Sequence, residues 1–157
     1  MKYQGLYRHG DRTILAYRVG DCDVLEMPGM EIDPAHDRAP IFTRTLEIGR
    51  STHDLTMKVA DNPVTTAVVG DARVTLAREP ATTFLRIPAS ATPTMIKVMM
   101  ARGDVDPLTA YAKASPPPAS LQPFTRGGPG RWPEVLKTQA VKGTGDCSGL
   151  RVGQRHR

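Results

Sequence analysis

A chain of 157 residues is long enough for one domain with a buried core, and its 39% apolar and 5% aromatic content makes that core lean. The formal charge of +5 is not spread over a basic face: residues 1–114 carry 14 Lys+Arg against 14 Asp+Glu, and residues 115–157 carry 7 against 2. A neutral body argues against the phosphate-binding surface of a nucleic-acid-binding domain, and no run approaches the ~18 apolar residues of a membrane-spanning helix.

In chain order, Lys2–Tyr7, Arg12–Arg18 and Cys22–Met27 read as three strands of a meander. The turns between them are His9-Gly10-Asp11 and Val19-Gly20-Asp21, where glycine supplies the positive φ of a tight hairpin and aspartate can hydrogen-bond the backbone ahead. In the middle run Thr13, Leu15, Tyr17 and Val19 share one face, and Ile14, Ala16 and Arg18 the other, which suits a sheet packed on one side. Pro28-Gly29 is expected to end the third strand, with residues 29–40 forming an exposed loop.

Ile41–Ile48 and Leu55–Ala60 resume strand character. Gly70-Asp71 then predicts a further hairpin joining Thr66–Val69 to Arg73–Arg78, and Thr83–Ile87 and Met95–Ala101 follow. About nine short strands spaced roughly 8–12 residues apart point to an antiparallel sandwich or barrel. The expected fold class is all-β, an antiparallel β-sandwich. One short helix is predicted over Leu108–Lys113, opened by Asp106-Pro107. Residues 1–114 form the expected domain. Residues 115–157 hold six of the 14 prolines and seven of the 14 glycines, and read as a basic linker or tail, extended or disordered, in which only Phe124 and Trp132 invite docking on the sandwich.

The chemistry-bearing candidates are few. Glu31, Asp33, His36, Asp37 and Arg38 crowd one loop, with oxygen ligands for a hard cation or an acid–base set; the plainer reading is a solvated loop, because a calcium loop's alternation and turn glycine are missing. His9 beside Asp11 and His53 beside Asp54 are turn histidines. Ser51 near His53 has no nucleophile-elbow context, and Cys22 would need a histidine brought by the fold. Met95, Met99 and Met100 read as core packing rather than a soft-metal cluster. Two cysteines without a spacing pattern define no framework, so pairing of Cys22 with Cys147 stays open. No catalytic, cofactor-binding or metal-binding residue is assigned, and the amino-terminal MKYQGLYRHGD shows no signal-peptide core.

The runs QGLYRHGDRTILAYRVGDCDVLEMPG and FTRTLEIG, with the distal LQPFTRGGPGRWPEVLKTQAVKGTGD, resemble a region of large secreted proteins from planctomycete-type bacteria. Those proteins look like PQQ-dependent or sorbosone-dehydrogenase-type β-propellers combined with c-type cytochrome (haem-binding) domains. Gly127–Pro133, containing Arg-Trp-Pro, is the most specific part. The resemblance implies a periplasmic or extracellular parent, neighbouring propeller or haem domains as partners, and haem c or PQQ in the parent but none in this chain. It also makes the chain look like a fragment or frameshifted piece, ending in CSGLRVGQRHR where a propeller would follow. The expected function is a non-catalytic accessory β-sandwich module, binding a neighbouring domain or a carbohydrate. The alternatives are a small hydrolase or isomerase using Asp33, His36 and Asp37, and a weak nucleic-acid-binding module acting through the basic tail.

Overall fold

Two glycines set the first three strands in register. Gly10 (φ +63°) and Gly20 (φ +61°) open two-residue loops, so His9 pairs with Arg12 and Val19 with Cys22. The strands they join are β1 (Lys2–His9), β2 (Arg12–Val19) and β3 (Cys22–Ile32). The computed structural model describes residues 1–35 and 39–126. Its further elements are β4 (Pro40–Ile48), β5 (Leu55–Asp61), β6 (Thr65–Gly70), β7 (Thr75–Arg78), β8 (Thr82–Ile87), β9 (Thr94–Ala101) and α1 (Val105–Ala114), followed by a 3-10 turn at Gln122–Thr125. Each strand-like run read from the sequence falls on one of these strands.

The strands form two antiparallel sheets, β1-β2-β3-β4-β9-β6 and β5-β8-β7, packed face to face as an all-β sandwich. Alternation along β3, β4 and β9 turns Cys22, Val24, Leu46, Ile48, Ile96 and Val98 inward, against Leu85 and Ile87 of β8 and against Val74. The opposite face of the large sheet is covered as well. Ile41, Ala67 and Met99 pack there beneath Leu108 and Ala112 of α1. The core is aliphatic: Tyr3, Tyr7 and Phe42 are exposed, and Tyr17, Phe84 and Tyr111 are half-buried.

Three expectations differ from the fold. Pro28 does not end β3, which runs on to Ile32 and pairs with β4 as far as Ile32↔Pro40. Glu26 is the last β3 residue paired with β2, so Pro28 lies where the strand has β4 alone beside it and a missing N–H is tolerated. Gly70-Asp71 is not a hairpin, because β6 and β7 belong to different sheets. There Gly70 (φ +126°) lies so close to β9 that a Cβ would sit 2.3 Å from the carbonyl oxygen of Met95, and the chain leaves one sheet for the other.

The third difference concerns residues 115–126, expected to leave the fold at Ser115. They run back as a strap over the helix-bearing face of the large sheet, with Leu121 fully buried. Glu47, whose neighbours on that face at two-residue steps include Thr43 and Ile41, accepts hydrogen bonds from Ser120 Oγ (2.8 Å), Leu121 N (2.7 Å) and Gln122 Nε2 (3.1 Å). Phe124 docks at the end of the strap, its ring edge-on to His9 (centroids 5.4 Å apart) and 4.8 Å beneath the Arg12 guanidinium. Trp132 and the Arg-Trp-Pro segment lie outside the described residues.

Candidate functional site

The most developed polar cluster stands at the open side of the sandwich. Period-2 alternation puts Glu26 in line with Cys22 and Val24, on the face that packs inward. Glu26 is buried to 7% exposure and held from three directions. Arg44 engages it through Nε to Oε1 (2.6 Å) and Nη2 to Oε2 (3.1 Å), and the Tyr17 hydroxyl donates to Oε2 (2.8 Å). Burial, reinforced by the Glu26 charge, pushes the Tyr17 phenol well above its ordinary value of 10.0, and the hydrogen bond to Glu26 raises that of the Arg44 guanidinium.

This cluster borders a groove of about 310 Å³ between β5 and the large sheet, walled by Val19, Val24, Leu46, Ile48, Leu55 and Met57, with Tyr17, Arg44 and Lys58 also among its lining. Apolar walls with a few convergent polar groups suit binding. They do not suit acid–base chemistry, because the Glu26 carboxylate is already saturated by an ion pair and a phenol. Beyond Arg44, β3 and β4 extend past the cover of the small sheet. There Met30 and Phe42, direct cross-strand partners, are 61% and 55% exposed, with Ile32 close by at 40%.

The residues singled out from the sequence are elsewhere and separate. Glu31 and Asp33 are not on a solvated loop. Glu31 accepts from Lys97 Nζ (2.9 Å) and the Tyr111 hydroxyl (3.0 Å), tying α1 to the sheet, while Asp33 is buried and accepts the Ala35 N–H (2.8 Å). Burial first and Glu31 second raise the Tyr111 phenol. His36, Asp37 and Arg38 lie outside the described residues.

At one end of the sandwich an open hollow of about 560 Å³ is lined by Asp21, Arg50, Ser51, Thr52 and Ser90. Ser51 spends its hydroxyl on the His53 carbonyl (2.6 Å), which removes it as a nucleophile. His53 Nδ1 lies 2.8 Å from Thr52 Oγ1, and Thr52 donates to Asp21 Oδ2 (2.9 Å); that bond is the leading cause holding the Asp21 carboxyl below its ordinary range. Asp54 caps the Ala89 N–H (2.8 Å) instead of orienting His53. His9 packs on Phe124 rather than pairing with Asp11.

Cys22 is fully buried, its thiol 3.5 Å from the Gly49 carbonyl and its pKa pushed up by burial, so it is not an activated nucleophile. Cys147 lies outside the described residues. Met99 is core beneath α1, while Met100 pairs with Phe42 across the strands. Among the described residues no three His, Cys, Asp or Glu side chains converge to hold a metal ion. The Tyr17–Glu26–Arg44 cluster went unread in the sequence, although an acid two residues beyond two apolar, inward-facing positions was a usable signal.

The groove and the exposed Met30–Phe42 pair both draw on the opening meander, and a family match falls on that meander. A model described as a domain of unknown function (DUF6797) matches residues 1–26, from β1 to the middle of β3. No curated protein and no solved structure matches the chain.

Proposed function

We propose that the chain is a non-catalytic accessory β-sandwich module that works by packing against a neighbouring domain. The observation that carries this reading is the Met30–Phe42 pair: two large apolar side chains, facing each other across β3 and β4, stand in solvent with Ile32 where the small sheet no longer covers the large one. A docked domain would continue the core that Leu46 and Ile48 begin. The resemblance to secreted PQQ-dehydrogenase-like and cytochrome-bearing proteins supplies the identity of that neighbour, a propeller or a haem domain. Haem c or PQQ then belongs to the neighbour, and the parent is periplasmic or extracellular.

Hydrogen exchange on the chain alone, and on the chain joined to the domains encoded with it, tests the reading. Residues 28–32 and 40–44 are expected to gain protection in the joined form. Unchanged exchange there, or a locus that encodes no propeller or haem domain, overturns it. A carbohydrate as the ligand gains from the exposure of Tyr3 and Tyr7, whose rings are available as stacking platforms on β1. Protection at β1 by added oligosaccharide, with none at residues 40–44, would favour that second reading.

A further inference from the structure

We propose that the free edge of β1 is a strand-addition site for an extended partner segment with an apolar middle and an acidic side chain near each end. β1 closes one end of the six-stranded sheet: β2 pairs with it from Lys2 to His9, and among the described residues no strand lies along its other edge. An open edge of 8 residues offers a row of backbone donors and acceptors that a further strand can meet.

β1 keeps large apolar side chains on both sides of the irregularity at Gln4, where its register with β2 shifts. It contains no proline, and Tyr3, Leu6 and Tyr7 are exposed at 63%, 53% and 39%. Tyr3 and Leu6 stand opposite Tyr17 and Leu15, while Tyr7 stands opposite Ile14 on the other face. An added strand therefore meets apolar surface on both of its faces.

Charge selects the occupant. β1 carries Lys2 and Arg8 and no acidic residue, and its cross-strand partners at the two ends are Arg18 and Arg12. Arg18 is neutralised by Asp23 (2.7 Å) and Arg12 is engaged over Phe124, but Lys2 and Arg8 have no carboxylate partner among the described residues. Lys2 lies on the face of Arg18 and Tyr7, and Arg8 on the face of Thr13 and Leu6, and a second copy pairing through β1 would add two more cations to this edge and no carboxylate. A strand bearing carboxylates at those positions gains what the second copy loses, so the same two cations reject self-pairing and favour an acidic partner.

The probe is a synthetic peptide of about eight residues, valine within and glutamate at each end so that the two carboxylates fall on opposite faces, matched in length to β1, with binding followed by amide resonances and exchange rates across the chain. Peptide binding is expected to perturb and protect Lys2–His9, to weaken as salt rises, and to fall about tenfold in a Lys2→Glu/Arg8→Glu double variant. That variant is expected to accept a valine–lysine peptide instead. Retained dispersion of the remaining resonances shows that it is folded. Lack of binding, equal binding of the lysine peptide by the unaltered chain, perturbation at β5 or β6 instead, or concentration-dependent dimerisation protecting β1 would each overturn the proposal. None of these readouts involves residues 28–32 or 40–44, so the proposal stands or fails apart from the docking of the Met30–Phe42 surface.

Discussion

Glu47 accepts the backbone N–H of Leu121 at 2.7 Å across 74 residues of sequence, and this bond draws the proline-rich segment after α1 back onto the sheet. The same carboxylate holds Ser120 and Gln122. A chain cut after residue 126 keeps these donors; one cut after residue 114 loses them and uncovers both Glu47 and the site of Leu121. The shorter chain is expected to lose about 3 kcal/mol or more relative to the longer in urea unfolding, and Leu121→Ala alone about 2–4 kcal/mol. Equal midpoints for the two chains would make the strap a passenger.

A buried ion pair is costly to form and costlier to break. Arg44→Met leaves the Glu26 carboxylate with only the Tyr17 hydroxyl, and is expected to destabilise by about 3 kcal/mol. Adding Glu26→Leu removes the stranded charge and should recover most of that loss. If the double variant were as unstable as the single one, packing of the Arg44 stem rather than charge burial would be the cause.

The strands were legible because each carries its own period and its own punctuation. Gly10-Asp11 and Gly20-Asp21 specify two-residue loops locally, and nothing distant competes with them. Gly70-Asp71 carries the same dipeptide, yet it is decided by β9, whose backbone lies against Gly70 and takes the place a hairpin partner would hold. The strap was illegible for a related reason. Its prolines and small residues have poor local propensity, and its order comes from groups far away in sequence: the Glu47 carboxylate, the core that buries Leu121, and His9 and Arg12 around Phe124. Of the candidate site, Glu26 betrayed itself as an acid on an inward face, but Arg44 and Tyr17 became its partners only through the register of three strands.

Positions with the same residue should respond differently to the same change. Gly10→Ala places a Cβ in open space at φ +63°, so only the left-handed backbone is penalised, by about 1 kcal/mol. Gly70→Ala adds a collision with the Met95 carbonyl and Ile96 Cα, and is expected to cost about 3 kcal/mol or more. Thermal or urea midpoints of the two variants rank them directly. The reverse order would mean that β6 shifts away from β9 without loss.

Tyr17 gives the fold an alkaline limit. Its phenol is raised above 10.0 in the folded chain by burial and by Glu26, so the unfolded chain ionises first as pH rises. The linked stability is fully present below the unfolded value, and is lost progressively above it until the folded phenol also ionises. Unfolding midpoints are therefore expected to fall progressively as pH rises past 10.0, and to fall less steeply in Tyr17→Phe, which lacks the titrating group. Tyr111 is raised in the same direction by burial and Glu31, so the Tyr17→Phe/Tyr111→Phe variant should be flatter still. A Tyr17→Phe profile parallel to that of the unaltered chain would place the alkaline sensitivity elsewhere.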